Sequence, residues 1–213
     1  MVATATLSLS AITACEVVPL DPEPSPTAGG GAAGGAGSTS GDPAKLLAKL
    51  TVKKAGSMRD YSREKFPHWR DTGKNCDVRD SVLKRDGKKV KFSGCNVVAG
   101  TWHSLYDGQT LDSPTKVDID HVVPLAAAWR TGASAWTTDK RGDFANDLDR
   151  PQLVAVSATS NRSKGDQDPS TWKPKNRSDW CEYAADWITV KSYWKLAVTT
   201  AEKKALTEML KEC

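Results

Sequence analysis

All 30 lysines and arginines of this 213-residue chain lie beyond residue 43. The first 43 residues carry four acids, Glu16, Asp21, Glu23 and Asp42, and no basic side chain. Pro19, Pro22, Pro24 and Pro26 stiffen the part after Cys15, and a Gly/Ala/Ser run from Gly29 to Gly41 loosens the remainder. Such residues bury too little apolar surface to offset the entropy of ordering them, so residues 16–43 read as a linker. The fold must therefore come from residues 44–213. These hold 30 basic against 22 acidic side chains, a net charge of +8 with histidines neutral, where the whole chain shows only +4. A basic domain favours polyanionic partners, but charge alone decides little.

Residues 2–14 form a short, uncharged, mildly apolar run that ends in small residues directly before Cys15. That is the shape of a signal peptide with a lipoprotein-type cleavage site at Ala14/Cys15, although a positive n-region is missing. The run is too short and too rich in Thr and Ser for a transmembrane helix. The expected organisation is a signal segment at 1–15, a linker at 16–43 and one domain at 44–213. The protein is expected to be secreted, or tethered at the cell surface by a lipid on Cys15 that would be its only membrane contact. No obligate protein partner is evident.

Four of the five cysteines, Cys76, Cys95, Cys181 and Cys213, fall in the basic domain. An even set with one spare outside suggests two disulfides. Three pairings are possible, and proximity favours Cys76–Cys95 and Cys181–Cys213. Zinc ligand spacing such as C-x2-C is absent.

The pattern predicts a mixed α+β domain with a small sheet. Ala44–Lys54 has the spacing of a short amphipathic helix. Cys76–Arg85 reads as another helical turn, and Lys89–Phe92 and Val97–Trp102 as strands. Val117–Val123 reads as a strand, and Pro124 opens a helix through Arg130. Thr131–Arg150 is a long polar stretch. Gln152–Val156 reads as a strand, Ser157–Lys164 as a short helix and Ser178–Trp194 as a long one. Trp180, Trp187 and Trp194 recur every seven residues on one stripe and suit a core. Thr199-Thr-Ala-Glu202 is a capping box that opens the last helix.

The chemistry concentrates in Asp118-Ile-Asp-His-Val-Val-Pro-Leu125 and Asn161-Arg-Ser-Lys-Gly-Asp166. A phosphodiester resists hydrolysis because its anion repels nucleophiles and its alkoxide leaves poorly. Cleavage needs a base for water and a cation for the new charge. His121 is the natural base. Asn161 offers a neutral oxygen suited to Mg²⁺. On a regular strand Asp120 and His121 point to opposite faces, so one site would need the strand to end or bulge between them.

Together with Phe144-Ala-Asn-Asp147 and Leu153-Val-Ala-Val156, these segments resemble the HNH endonuclease superfamily. They are most similar to secreted actinobacterial HNH proteins related to the C-terminal domain of GmrSD-type restriction enzymes. The similarity also takes in Tyr61–Trp69, Cys76-Asp-Val-Arg-Asp80, Gly100-Thr-Trp102, Pro169–Trp172, Cys181 and Cys213. It implies a ββα-metal core gripping one divalent cation, Mg²⁺ with Mn²⁺ as a substitute. Carried over by position, Asp120 and Asn161 resemble the metal ligands and His121 the general base. The middle position, usually an asparagine that holds the hairpin loop and orients the histidine, falls at Gln152, and Asn146 and Asp149 are other candidates for that role.

The expected activity is hydrolysis of DNA, with RNA a second substrate and low sequence specificity. Lys164 and Arg162 are candidate phosphate contacts, and Arg79 and Asp80 read as a structural ion pair. His68 and His103 read as structural or surface histidines. The rival reading is a non-catalytic nucleic-acid-binding module on the same scaffold, suggested by the glutamine at 152. A zinc enzyme is disfavoured because only three histidines exist.

Overall fold

The structure is a computed structural model that describes residues 1–2 and 41–213. The leader-like run, Cys15 and the linker up to residue 40 lie outside the described residues. The chain divides into two units, residues 1–34 and 35–213, and every described helix and strand belongs to the second.

Helix α1 (Pro43–Lys49) starts where Asp42 accepts hydrogen bonds from the Ala44 and Lys45 amides, with Pro43 in the first turn. It ends at Leu50, earlier than the periodicity predicts, and the chain continues extended until Val52 bridges Val198. Strands β1 (Asp71–Gly73) and β2 (Cys76–Asp77) form a small antiparallel pair. Asp77 then opens α2 (Val78–Asp86) through a reciprocal capping box with Asp80. Asp80 is thus committed to the cap, and Arg79 donates to the carbonyls of Pro114 and Val117. The expected Arg79–Asp80 ion pair does not form, because each side chain satisfies a backbone group instead.

Strands β3 (Lys88–Ser93), β4 (Asn96–His103) and β5 (Thr110–Leu111) build a three-stranded antiparallel sheet. Gly87 joins α2 to β3 where no larger residue fits. A Cβ there would lie 2.7 Å from both the Leu83 carbonyl oxygen and Trp102 Nε1, which hydrogen-bond to each other at 2.8 Å. The Cys76–Cys95 disulfide ties the β3–β4 turn to β2.

Strand β6 (Val117–His121) comes next. Helices α3 (Leu125–Arg130) and α4 (Thr138–Ala145) precede β7 (Leu153–Ser157), which pairs antiparallel with β6. The register is unbroken from Val117↔Ser157 to His121↔Leu153. The stretch from Thr131 to Arg150, read as a long polar stretch, contains helix α4. Thr137 caps it and Phe144 and Ala145 anchor its end in the core. Helix α5 (Ala158–Lys164) follows β7 directly, so β6, β7 and α5 form a compact ββα unit. Helices α6 (Trp180–Trp194) and α7 (Thr200–Met209) complete the seven α-helices among the described residues, and α7 opens on the Thr199–Glu202 capping box.

The β6–β7 pair divides two cores. Val117, Ile119, Leu153 and Ala155 pack with Val78, Val82 and Leu83 of α2 and with Trp102. Val156 belongs to the larger core, with Trp129, Phe144, Trp187 and Leu206. In that larger core Lys191 and Glu202 form a buried ion pair at 2.5 Å, and Trp187 Nε1 donates to the same carboxylate oxygen at 2.6 Å. This network locks α6 to α7.

The Cys181–Cys213 disulfide ties the start of α6 to the chain end across a separation of 32 residues. Closing a loop of that length restricts the unfolded chain by about 3–4 kcal/mol. The double variant Cys181→Ser/Cys213→Ser is expected to lose that much unfolding free energy in non-reducing urea denaturation. An unchanged denaturation midpoint would show that the staple contributes nothing.

Candidate active site

Helix α5 is fixed at its start by a local network. Ser157 caps it by accepting from the Ser160 amide, and Asp107 accepts from the hydroxyls of Ser157 and Ser160. Ser104 Oγ accepts from the Ser157 amide. So anchored, the helix presents Asn161 and Lys164 to β6. Residues three apart on a helix and two apart on a strand have matching spacing, roughly 5–7 Å. Asn161 Nδ2 donates to Asp118 Oδ2 at 3.0 Å, and Lys164 Nζ donates to Asp120 Oδ2 at 2.7 Å.

Asp120 is buried, and its Oδ2 also accepts from the Tyr106 hydroxyl at 2.6 Å. Lys164 is fully buried, and its ammonium also donates to the His121 carbonyl at 3.0 Å. Burial pushes the Lys164 pKa down, and Asp120 pulls it back up. Burial, reinforced by Asp120, raises the Tyr106 phenol well above its ordinary value. Tyr106 therefore stays a donor to Asp120, beside the Lys164 nitrogen at 2.7 Å.

His121 leaves the other side of the hairpin. The register stays regular through His121, so the strand ends only after it, and alternation separates it from Asp120. Its ring lies 5.9 Å from Trp69 and 6.3 Å from His68, measured between centroids. Its Nε2 lies 2.9 Å from the Ala145 carbonyl oxygen at the end of α4. A carbonyl only accepts, so Nε2 carries the proton and Nδ1 keeps the lone pair. Burial drives the His121 pKa down to about 3, against the opposing pull of the Ala145 carbonyl. The imidazole is therefore neutral and oriented, the state a general base requires.

The carbonyl that orients His121 is held by its neighbours. Asn146 Nδ2 donates to the Pro67 and Gly142 carbonyls, and its Oδ1 accepts from the Arg70 amide, which joins this turn to the segment carrying His68 and Trp69. Asp147 accepts from the Asp149 and Arg150 amides and from Trp194 Nε1. Gln152 makes both of its side-chain hydrogen bonds to the backbone of Val123 and so clamps the chain just after β6. It makes no hydrogen bond to His121.

The structure thus brings Asn161 to Asp118 and Lys164 to Asp120, and places His121 on the opposite side. Lys164, with no exposed surface, holds the carboxylate instead of facing solvent. Arg162 is exposed and pairs with no carboxylate among the described residues. Sequence reasoning missed Tyr106, Ala145 and the nearness of His68 and Trp69 to His121. Only the last pair left a trace, since both sit in the Tyr61–Trp69 segment that carries the family resemblance.

Among the described residues, no group of three or more His, Cys, Asp or Glu side chains is placed to hold a metal ion. The oxygen donors along this face of β6 are Asp118, Asp120 and the Asn161 amide, a set whose chemistry suits a hard cation such as Mg²⁺ or Mn²⁺. Lys164 competes with a metal for the Asp120 carboxylate.

An antiparallel strand pair running straight into a helix, with acids facing the helix and a histidine at the strand end, makes an HNH-like ββα arrangement. The family described as GmrSD restriction endonucleases, C-terminal domain, matches residues 74–209, and the chain belongs to it. A protein of Arthroderma benhamiae, described as an uncharacterized secreted protein, is 52% identical over 169 residues, which cover 79% of this chain and 83% of the relative. No solved structure matches the chain.

His121 should stay neutral through the physiological range. A histidine titration followed by NMR is expected to be flat from pH 8 to about 5; an inflection near 6.5 would contradict the burial. The linkage has a definite sign. The folded pKa lies below the unfolded value, so the unfolded chain takes up the proton first. His121 costs nothing above pH 6.5 and lowers stability as pH falls from 6.5 toward 3, by about 3 kcal/mol at pH 4.5.

Lys164→Met leaves Asp120 buried without its ammonium and should cost about 3–5 kcal/mol in chemical denaturation. The double variant Asp120→Asn/Lys164→Met should lose clearly less. Additive losses would show that the two groups do not interact.

Proposed function

We propose that residues 44–213 form a metal-dependent endonuclease that hydrolyses DNA, with RNA a second substrate and little sequence specificity. Membership in a nuclease domain family supports this reading. The observation that carries it is His121, held neutral with Nε2–H on the Ala145 carbonyl and Nδ1 free of any hydrogen bond among the described residues. In the proposed reaction Nδ1 takes a proton from the water that attacks phosphorus. Asp120 and Asn161 are the proposed metal ligands, with Asp118 next to Asn161; they face away from His121 across β6, so a bound phosphate would meet both only at the end of the strand. A divalent cation, when bound, supplies positive charge for the phosphate oxygens and the leaving 3′ oxygen. Lys164 and Tyr106 fix the Asp120 carboxylate, and exposed Arg162 is available to a substrate phosphate. The expected products carry 5′-phosphate and 3′-hydroxyl ends.

Secretion is supported by the description of the relative and by the two disulfides, which persist in oxidising compartments. A signal segment at 1–15, a tether at 16–43 and a lipid on Cys15 complete the proposal.

One observation favours the second reading, a non-catalytic nucleic-acid-binding module. The Asp120 carboxylate already has a cation, the buried Lys164 ammonium. Incubating the protein with plasmid DNA and with RNA in Mg²⁺, Mn²⁺ or chelator separates the two. The endonuclease reading expects cleavage that chelator stops, reduced about 10²–10⁴-fold by His121→Ala in a protein that still folds. Binding without cleavage in either metal would establish the module instead, and near-wild-type activity in a folded His121→Ala would remove His121 as the base.

A further inference from the structure

We infer that the cleft beside Trp129 is a second phosphate-binding site, which holds the nucleic-acid backbone a few nucleotides from the bond His121 addresses. The cleft has a volume of about 560 Å³ and lies outside the ββα unit. Its lining brings together three cations, Arg59, Lys65 and Arg141, hydroxyl groups including Ser57 and Thr138, and one carboxylate, Asp60. The balance of these charges is positive, and the hydroxyls are donors of the kind phosphate oxygens take up.

What sets these cations apart is that three of them line one cleft. Lacking an ion pair does not, since among the described residues Arg162 and several surface lysines lack one too. Arg70, Arg85, Arg130, Arg150 and Arg177 all form ion pairs with carboxylates. Among the described residues, Arg59, Lys65 and Arg141 form none. Arg141 is fixed: its guanidinium donates to the Lys65 and Trp136 carbonyls and to the Thr138 hydroxyl. Lys65 Nζ donates to the Asp60 carbonyl and lies 5.4 Å from the centre of a Trp129 ring. The Arg59 side chain makes no hydrogen bond among the described residues. One fixed guanidinium and two further cations that form no ion pair outnumber the single carboxylate of the lining, which suits an anion that arrives from solvent.

The cleft also lies near the histidine. Lys65 is three residues before His68, whose ring is 6.3 Å from that of His121. Three residues of chain reach roughly 10 Å at most. Thr138 and Arg141 lie on α4, whose final residue, Ala145, orients His121; seven residues at 1.5 Å each put Thr138 roughly 10 Å along the helix from Ala145. One strand of a duplex advances about 3.4 Å along the axis per phosphate, so the cleft stands within a few nucleotides of His121. Ser57, Arg59, Asp60 and Lys65 precede residue 74, where the family match begins, while Trp129, Ser134, Thr138 and Arg141 lie within the matched span.

The identity of the ligand rests on the endonuclease reading, whereas the site rests on the cleft. The test is binding of a labelled duplex of about 16 base pairs to the full chain in excess chelator, across a salt series, with two phosphate contacts worth a slope of about 1.8. Arg59→Ala/Lys65→Ala removes two cations that form no ion pair in the fold. It should weaken binding about 10-fold and flatten the salt dependence by that slope. Lys204→Ala/Lys211→Ala, an exposed pair outside the cleft, removes equal charge and should change little. Unaltered affinity and slope in the first variant, or an equal loss in the second, would overturn the site. Polyglutamate that competes as well as DNA, and loses as much in the first variant, would overturn the assignment to nucleic acid. In Mg²⁺, the first variant should raise KM for the duplex with kcat unchanged. If no variant and no wild-type protein cuts, the endonuclease reading fails while the binding result still decides the cleft.

Discussion

The arrangement of this domain depends on the two-residue alternation of β6, held in register by β7. Because pairing is unbroken to His121↔Leu153, Val117, Ile119 and His121 face one way and Asp118 and Asp120 the other. A slip of one residue would put both acids into the core built on α2 and both apolar residues against α5. The ladder therefore fixes more than two strands. It decides which side chains meet the helix and on which side the histidine emerges.

The histidine is oriented from far away in sequence. Its partner carbonyl, Ala145, belongs to the chain inserted between the two strands, and an insertion of that length would be free to move if held only at its ends. Three side chains prevent this. Gln152 clamps the entry to the start of β7, Asn146 fastens the turn to the segment before β1, and Asp147 fastens it to Trp194 on α6. The glutamine at 152, which stands at the middle position of the motif, holds the loop after β6 through the Val123 backbone and makes no hydrogen bond to His121. The asparagine beside the orienting carbonyl is Asn146.

The sequence shows the parts whose signal is local. The alternation of β6, the apolar run of β7, the cap of α7 and the tryptophan stripe of α6 all appear where the pattern puts them. Helix α4 does not, because Thr138-Asp-Lys-Arg-Gly-Asp143 has no apolar face; its helix exists because Phe144 and Ala145 reach the core at the far end. The site is half legible for the same reason. Asp118, Asp120, His121 and Asn161 can be found by type and spacing. The role of Ala145 cannot, since every residue has a carbonyl, and the burial of Lys164 cannot, since a lysine in the last turn of a short helix looks like a solvated charge. Tyr106 reaches Asp120 only through the return of the chain after β4.

Lys164 itself supplies a cation at this face. A carboxylate with no exposed partner would be costly to bury, and the ammonium at 2.7 Å removes that cost without a metal. The acid is thus preorganised by groups of the chain itself, Lys164 and Tyr106. Lys164, read from sequence as a contact for substrate phosphate, instead uses its charge inside the fold, on the Asp120 carboxylate and the His121 carbonyl. A side chain committed in this way positions the acid and has no exposed surface to offer solvent or substrate on that side of the helix.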